Sequence, residues 1–470
     1  MIDLNSVQKP VRYIGNEWNA VTSKPEATLR MAFCFPDVYE VGMSYLGLQI
    51  LYGLLNEHES IWCERAFAPW PDYEEALRRE HEPLKTLESQ TPLSEMDIIG
   101  FSVQHEMLYS NILTMLDLGN IPLEQNQREG SAPIIIAGGP CVYNPTPLVD
   151  FVDAFLLGEG EELLPVFCKA YRDLRDRGAG RDVILHELAR IPGVFVPSLY
   201  RWETNRLGET LPGEPLHADI PAVVERQLVE DFENAYAPKK PIVPNTQVVH
   251  HRLALEVMRG CPGGCRFCHA GFVTRPKRER SPKRLMEDAD ASLKETGYGE
   301  LGLLSLSTAD YTALPNLCYN LVHEYYDERI SLSLPSLRID KFPARVTEEL
   351  GKVGGTGLTF APEAGTERLR NAINKPITNQ AILDQVAAAI TQNQGTVKFY
   401  FMIGLPTETD ADLQGIVDLM AEVKNVLRAR GWKRTQIHVG LSPFVPKPHT
   451  PYQWYAQISI DEMYRRIHYI

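Results

Sequence analysis

Three cysteines that lie close together determine which chemistry this sequence can perform. Cys261, Cys265 and Cys268 follow the spacing C-x3-C-x2-C in the segment MRGCPGGCRFCHAG. Thiolates suit iron–sulfur clusters, and three of them on one short loop can hold three irons of a [4Fe–4S] cube. The fourth iron then keeps an open position for an exogenous chelator. Glycines in the same segment let the backbone pass close to such a cluster.

A zinc ion is the alternative occupant of this loop, because His269 could complete a tetrahedral set with the three thiols. We favour the cluster, since adjacent Cys268 and His269 are poorly placed to share one ion. The remaining cysteines stand singly in apolar segments, which predicts buried, inert thiols. They are Cys34, Cys63, Cys141, Cys168 and Cys318.

Composition places the chain in a broad class. Its 470 residues suggest two or three domains, and 47 basic against 61 acidic residues argue against a broad nucleic-acid surface. No long apolar run and no secretory leader are evident, so we expect a cytoplasmic protein with no membrane partner. One basic stretch, TRPKRERSPKR, indicates either a phosphate-bearing partner such as RNA or a solvated connector, and we favour the connector.

Strand-like and helical segments alternate in both halves of the chain. In the first half LRMAFCF, DIIGFSV, PIIIAGGP and DAFLLGEGE alternate with helices, which predicts a doubly wound parallel sheet. From residue 249 six further strands with intervening helices predict a partial barrel, with chemistry at the strand C-termini. The predicted division is an extension (1–27), a Rossmann-like domain (28–180), a proline-rich connector (181–248), the barrel (249–446) and a tail (447–470). The tail stops without a helix-capping signal, which favours a truncated or short form.

The thiol loop, with Phe267 as the aromatic residue before the last cysteine, resembles the radical S-adenosylmethionine (SAM) superfamily. FAPEAGTERLRNAINKP and KFYFMIGLPTETDAD are similar to that superfamily's fourth- and fifth-strand segments, and SPFVPKPHTPYQW is similar to a closing segment. The resemblance implies a [4Fe–4S] cluster whose open iron binds SAM. It also implies reductive cleavage of SAM and a reducing partner such as flavodoxin or ferredoxin.

The N-terminal segments sharpen this resemblance over residues 12–455. They are similar to a bacterial family of radical SAM proteins with an N-terminal cobalamin (B12)-binding-type domain and an undefined substrate. The implied fold is α/β: a Rossmann-like doubly wound domain followed by a radical SAM (β/α)6 partial barrel. Cobalamin domains with a lower axial histidine carry D-x-H-x-x-G, but here Tyr39 stands at the histidine position. A phenol is a poor cobalt ligand, so binding without that ligand and loss of the corrinoid both stay open.

Candidate contacts follow from the strand ends and from the resemblance. For the SAM carboxylate, Arg338 and Ser336 supply a cation and a hydroxyl. The candidate SAM contacts are Phe267, Ser307, Ser336, Arg338, Glu363 and Gly404. The candidate cobalamin contacts are Asp37, Tyr39, Gly42, Ser102, Gly138 and Gly139. No catalytic residue and no substrate are assigned.

The predicted function is an enzyme that cleaves SAM reductively. Methyl transfer is expected if cobalamin is bound, and hydrogen abstraction from a small molecule or RNA if it is not. The alternative from another class is a non-catalytic iron–sulfur protein that senses redox state or binds a partner.

Overall fold

A computed structural model describes residues 2–208, 210–334, 358–389, 396–432 and 435–470. It divides the chain into two compact units. The first comprises Met1–His251 with Lys294–Thr296, and the second comprises Arg252–Leu293 with Gly297–Ile470. In the described part of the chain, no helix is both long enough and apolar enough to cross a bilayer.

The first unit is built on a six-stranded sheet with the order β2-β1-β3-β4-β5-β6. Neighbouring strands are parallel except for the antiparallel pair β5–β6. The strands are β1 (Leu29–Phe35), β2 (Ile61–Phe67), β3 (Ile98–Ser102), β4 (Ile134–Gly138), β5 (Ala154–Leu156) and β6 (Val194–Phe195). The order reverses between β1 and β3, and such a reversal opens a ligand crevice at the strand C-termini. The predicted doubly wound fold is confirmed.

Helices connect these strands and share one apolar core with the sheet. They are α1 (Tyr39–Gly42), α2 (Leu46–Glu57), α3 (Pro71–Glu80), α4 (Tyr109–Leu118), α5 (Gly160–Asp176) and α6 (Arg181–Leu188). The helical face of α5 shows how sequence sets this packing. Its buried residues Leu163, Leu164, Phe167 and Tyr171 recur at helical spacing, so one stripe meets the core.

Strand β2 was absent from the sequence-based expectation because two charges interrupt its apolar run. Glu64 and Arg65 are both fully buried inside it. The Arg65 guanidinium lies 2.7 Å from a Glu17 oxygen and 2.6 Å from a Glu88 oxygen. A buried charge is tolerated only when it is paired and hydrogen-bonded. Because Glu17 and Glu88, which are distant along the chain, neutralise Arg65, strand β2 can be buried in the core despite its charged residues.

The segment predicted as a connector, 181–248, belongs to the first unit. It contains α6, β6 and a hairpin of β7 (Tyr200–Thr204) and β8 (Thr210–Pro215). Its β6 pairs with β5 at the sheet edge, and Gln227 forms a β-bridge with Gly158. These short strand pairings attach the proline-rich segment to the sheet. They could not be predicted, because the segment has no hydrophobic periodicity.

The second unit contains two parallel three-stranded sheets, with the orders β13-β12-β9 and β14-β15-β16. Their strands are β9 (Leu253–Glu256), β12 (Glu300–Leu304), β13 (Ser331–Ser333), β14 (Leu358–Glu363), β15 (Thr396–Ile403) and β16 (Gln436–Pro443). All six predicted strands are present. A short antiparallel pair, β10 (Met258–Arg259) with β11 (Arg278–Glu279), flanks the thiol loop. Residues 335–357, which include Ser336 and Arg338, lie outside the described residues.

The described helices of the second unit are α7 (Ala270–Val273), α8 (Pro282–Thr296), α9 (Leu314–Glu324), α10 (Glu367–Ala372), α11 (Asn379–Ala389), α12 (Asp410–Ala429) and α13 (Ile460–Tyr469). Of these helices, α8 and α9 pack on the first sheet, and α11 and α12 pack on the second. In β15, Val397, Phe399 and Phe401 are buried in the helix-facing core, whereas Lys398 and Tyr400 are exposed on the other face. This alternation is the period-2 pattern of a strand with one covered face.

Candidate functional site

The three clustered cysteines occupy the loop between β10 and α7. Cys261, Cys265 and Cys268 are reduced and half-buried, whereas the five scattered cysteines are all buried, as the sequence predicts. Among the described residues, no three His, Cys, Asp or Glu side chains are arranged to hold a single metal ion. Half-buried thiols on one loop are accessible enough to meet a cluster and sheltered enough to keep it from bulk water.

A glycine at the start of the loop sets its path. Gly260 has φ +82°, and a Cβ there would lie 2.4 Å from the carbonyl oxygen of Pro276 and 2.9 Å from that of Thr274. L-residues rarely adopt this conformation, and the facing atoms belong to backbone that cannot swing aside. The turn that presents the thiols therefore requires glycine.

We expect Gly260→Ala to prevent cluster assembly while the chain stays folded. The strained backbone costs about 1–3 kcal/mol locally, and the loop must move away from Pro276. The measurement is iron and sulfide per chain after anaerobic reconstitution. Gly299→Ala is the matched control, because a Cβ at Gly299 meets open space. Equal iron content in the two variants would contradict the assigned role of the turn.

Hydrogen bonds to the residues that follow α10, and one from Arg275 after α7, hold the thiol loop in place. The Arg266 backbone N–H donates to the Ile373 carbonyl at 2.9 Å. The Asn374 side-chain amide donates to the Gly264 carbonyl at 2.8 Å, and the Arg275 guanidinium donates to the Gly263 carbonyl at 2.8 Å. Loop carbonyls are thus satisfied by protein donors, so the chain itself arranges the thiols.

An ion pair lies beside this loop at the end of β14. Glu363 adopts φ +70° after an irregularity in the pairing of β14 with β15, and its carboxylate is 3.0 Å from the Lys375 ammonium. Lys375 also donates to the Ala361 carbonyl at 2.6 Å. A left-handed conformation in a non-glycine residue is uncommon and concentrates at functional sites. The charge of Glu363, a predicted SAM contact, acts on both Cys265 and Cys268, so this residue lies close to the thiol loop.

The electrostatics of the loop favour neutral thiols when the cluster is absent. Burial raises the pKa of Cys265, and the nearby charge of Lys375 opposes this shift only in part. Burial likewise raises the pKa of Cys268, against a hydrogen bond from the Gly271 backbone. Because thiolates are the metal ligands, iron binding at these positions must release protons.

The predicted SAM contact Phe267 packs into a small apolar cluster. Its neighbours are the buried residues Leu369, Leu405, Phe444 and Tyr452 together with half-buried Met402. These residues come from β15, α10 and the segment after β16, so several elements meet at the thiol loop. The ring of Phe267 anchors the loop in this cluster.

Two further predicted contacts lie at strand ends in tight local networks. The hydroxyl of buried Ser307, just after β12, donates to the Asp310 carboxylate at 2.7 Å. Gly404, just after β15, has φ +79°, and its backbone N–H donates to Glu408 at 2.6 Å. A Cβ on Gly404 would lie 2.8 Å from Ile458. Both residues shape turns that follow the C-terminal ends of their strands.

The candidate cobalamin contacts of the first unit divide into two groups. Tyr39 is 2% exposed and its hydroxyl donates to Glu17 at 2.9 Å, while a Cβ on Gly42 would lie 2.3 Å from the Phe67 ring. These two residues point into the core. The other four candidates lie at the C-terminal ends of β1, β3 and β4, where a crevice is expected. They are Asp37, Ser102, Gly138 and Gly139.

The basic stretch is engaged within the chain. Lys277 pairs with Glu279 at 2.7 Å, and Arg284 pairs with Asp288 at 2.9 Å. Arg280 is buried 3.6 Å from the same aspartate. These contacts favour the connector interpretation over a phosphate-binding surface.

Several residues of the site were missed by sequence analysis. Asn374 donates to the Gly264 carbonyl in the loop, Lys375 donates to the Ala361 carbonyl in β14, and Tyr452 donates to the Ala372 carbonyl at the end of α10. All three residues lie more than a hundred residues from the thiol loop along the chain. The sequence signals were two segments already quoted for the resemblance: Asn374 and Lys375 lie in the one that ends in NKP, and Tyr452 lies in SPFVPKPHTPYQW. Long-range hydrogen bonds of this kind leave no local periodicity.

Two protein-family models match the chain. "Radical SAM proteins, N-terminal" matches residues 47–197, and "Radical SAM superfamily" matches residues 255–420. Among curated relatives, an uncharacterized protein of Methanocaldococcus jannaschii is 27% identical over 428 residues, which cover 90% of this chain and 79% of that protein. The tRNA-2-methylthio-N(6)-dimethylallyladenosine synthase of Azobacteroides pseudotrichonymphae is 24% identical over 36% of this chain and 39% of its own length.

Two solved structures share the fold over nearly the whole chain. The radical SAM methyltransferase TsrM from Kitasatospora setae, with cobalamin and a [4Fe–4S] cluster bound, is 15% identical and covers 90% of this chain and 74% of its own, with a TM-score of 0.56. The cobalamin-dependent SAM radical enzyme OxsB is 12% identical, with a TM-score of 0.57. The match covers 94% of this chain and 62% of OxsB. Two parts of the chain are therefore similar to radical SAM proteins. The α/β fold class predicted from the sequence is confirmed.

Proposed function

We propose that this chain is a SAM-cleaving radical enzyme whose [4Fe–4S] cluster is held by Cys261, Cys265 and Cys268. The observation that carries the proposal is the prebuilt loop, where three half-buried thiols are presented beside the Glu363–Lys375 pair. When bound, the cluster supplies one electron that breaks a carbon–sulfur bond of SAM. The chain's own residues bind and orient SAM and keep water away from the reacting groups.

The residues around the loop have distinct roles in this proposal. One oxygen of Glu363 accepts from Lys375, which leaves the other oxygen to accept from the ammonium or a ribose hydroxyl of SAM. Lys375 holds that carboxylate in place and adds positive charge next to Cys265. Phe267 and its apolar neighbours exclude water from one side of the loop.

We propose further that the first unit binds cobalamin and that the reaction is a methyl transfer. The TsrM and OxsB structures described above each contain bound cobalamin. The residues present fit a corrinoid bound without a tyrosine ligand, because the hydroxyl of Tyr39 is committed to Glu17 inside the core. Gly138 is the open position, since the nearest heavy atom to a Cβ there is 3.9 Å away.

We expect Gly138→Phe to abolish retention of cobalamin without unfolding the first unit. The new side chain starts from a Cβ position with open space around it, so its ring can occupy the crevice at the end of β4. The measurement is the visible absorption of cobalamin after anaerobic incubation with hydroxocobalamin and desalting. Gly180→Phe is the control, because Gly180 is exposed and also has open space around its Cβ. Full cobalamin retention in Gly138→Phe would contradict the proposed crevice.

SAM cleavage is tested directly by anaerobic reconstitution with iron and sulfide, followed by dithionite and SAM. We expect 5′-deoxyadenosine and methionine as products. A fully loaded cluster that never cleaves SAM under strong reduction would instead favour the non-catalytic sensor. RNA is the less favoured substrate class, because Lys277, Arg280 and Arg284 of the basic stretch are paired with carboxylates within the chain.

A further inference from the structure

The turn that follows β15 is packed against the thiol loop. Leu405 of this turn is buried, and it shares one apolar cluster with Met402 of β15 and with Phe267 of the loop. Gly404 sets the path of the turn through a left-handed backbone with φ +79°. Ligands of barrel folds bind at the C-terminal ends of the strands, so the shape of this turn bears on the SAM site.

A buried carboxylate holds this turn. The Gly404 backbone N–H donates to an oxygen of Glu408 at 2.6 Å, and the Glu408 side chain is 1% exposed. Burial raises the pKa of Glu408, while the Gly404 hydrogen bond and the charge of Arg466 oppose that shift. A buried carboxylate is stable in its charged form only when a cation pairs with it. Because a charged acceptor makes the stronger hydrogen bond, the bond to Gly404 depends on that cation.

The cation comes from the last helix, α13. The Arg466 guanidinium pairs with the same Glu408 oxygen that accepts from Gly404. The Arg466 side chain is 14% exposed, so this pair is largely sheltered from water. The preceding residue, Arg465, is 46% exposed and pairs with Asp410 at 2.9 Å. Two adjacent arginines of one helix therefore differ, because Arg466 reaches the carboxylate that holds the turn.

The chain just before α13 lies against the same glycine. A Cβ on Gly404 would lie 2.8 Å from the nearest atom of Ile458. Because glycine has no side chain, Ile458 can approach the backbone of the turn closely. One polar and one apolar contact thus connect residues 458–466, which lie in the predicted tail, with the turn after β15.

We infer that α13 belongs to the SAM site and that Arg466 is a positioning residue, which keeps Glu408 ionised and bonded to the Gly404 N–H. This inference rests on the proposed function, in which SAM binds beside the thiol loop. Arg466 itself touches neither SAM nor the cluster. It acts through Glu408 on the path of the turn, so its loss weakens SAM binding more than it slows the cleavage of SAM already bound.

The first readout is the opening of the turn, and it needs no SAM. Amide hydrogen exchange of the peptide 402–408 is followed by mass spectrometry in the reconstituted full chain. We expect Arg466→Met to speed this exchange about tenfold, because the buried carboxylate loses its cation and its bond to Gly404 weakens. Arg465→Met is the matched control on the same helix and should exchange at the wild-type rate. Equal exchange in wild type and Arg466→Met would overturn the inference.

The second readout is the affinity for SAM, measured by calorimetry without a reductant on chains of equal iron content. We expect Arg466→Met to raise the Kd of SAM about tenfold. Arg466→Lys should restore most of the affinity, because lysine keeps the charge, and Arg465→Met should match wild type. With dithionite present, the KM for SAM should rise in Arg466→Met while kcat stays near the wild-type value.

The double variant Arg466→Met with Glu408→Gln separates positioning from general destabilisation. Glutamine removes the unpaired charge and still offers an oxygen to the Gly404 N–H. The double variant should therefore regain most of the SAM affinity that Arg466→Met loses, even where that single variant folds poorly. Equal SAM affinity in all variants, or equal losses in Arg465→Met and Arg466→Met, would overturn the inference.

Failure of the proposed function gives a different result. A wild-type chain that binds SAM without cleaving it would refute the proposed function and leave the inference standing. A cluster-loaded wild-type chain that binds no SAM would refute both.

Discussion

Replacement of Cys265 by alanine is expected to eliminate the iron–sulfur cluster and all SAM cleavage. In the proposed function three thiolates hold the cube, and Cys265 is the middle one. Among its described neighbours only His269 could replace it, and the position of His269 beside Cys268 suits a shared ion poorly. The broad absorption at about 400 nm should vanish, iron per chain should fall to background, and 5′-deoxyadenosine should be undetectable.

The control for this variant is a cysteine outside the loop. Cys318→Ala removes a fully buried thiol from the core of the same unit. It should keep its cluster and its SAM cleavage, because its effect is confined to a small loss of core packing. A cluster of unchanged iron stoichiometry in Cys265→Ala would refute the ligand set, and with it the proposed function.

Replacement of Arg65 by methionine is expected to destabilise the first unit more than any surface change. The guanidinium is fully buried and bonds both Glu17 and Glu88, so its removal leaves two buried carboxylates without their cation. Breaking a buried pair in this way costs about 3–5 kcal/mol. The measurement is urea unfolding followed by circular dichroism. Arg79→Met, at a position 64% exposed, should change stability by less than about 0.5 kcal/mol.

The pH dependence of this variant follows from Glu17. Burial opposes ionisation of Glu17, but the charge and hydrogen bonds of Arg65 outweigh it, so the pKa of Glu17 lies below its ordinary value. A carboxylate with a lowered pKa contributes stability above its unfolded pKa of about 4.3, and that contribution is lost as pH falls through the folded pKa. In Arg65→Met, protonation relieves the unpaired charge. The stability deficit against wild type should therefore shrink from pH 7 to pH 4, and a growing deficit would contradict this account.

Local patterns were sufficient for much of the fold. The β-branched run of Ile134–Gly138 and the apolar run of Ile98–Ser102 each predict a buried strand, because continuous apolar runs mark parallel strands covered on both faces. The three proposed thiol ligands could be singled out for a similar reason, since their spacing is local. Strand Ile61–Phe67 could not be predicted in this way, because Glu64 and Arg65 give it the local signature of an exposed segment.

The amino-acid sequence alone singled out the thiols proposed to hold an iron–sulfur cluster, and it determined where strands alternate with helices, since both depend on spacings within a few residues. Only the tertiary structure decided which charged residues are buried in the core. It also decided that the Tyr39 hydroxyl donates to Glu17 and that the Tyr452 backbone N–H donates to Arg266 in the thiol loop. The physical reason is that burial of a polar group is favourable only when a distant partner meets it. Such pairings are made in space and leave no trace in the local order of residues.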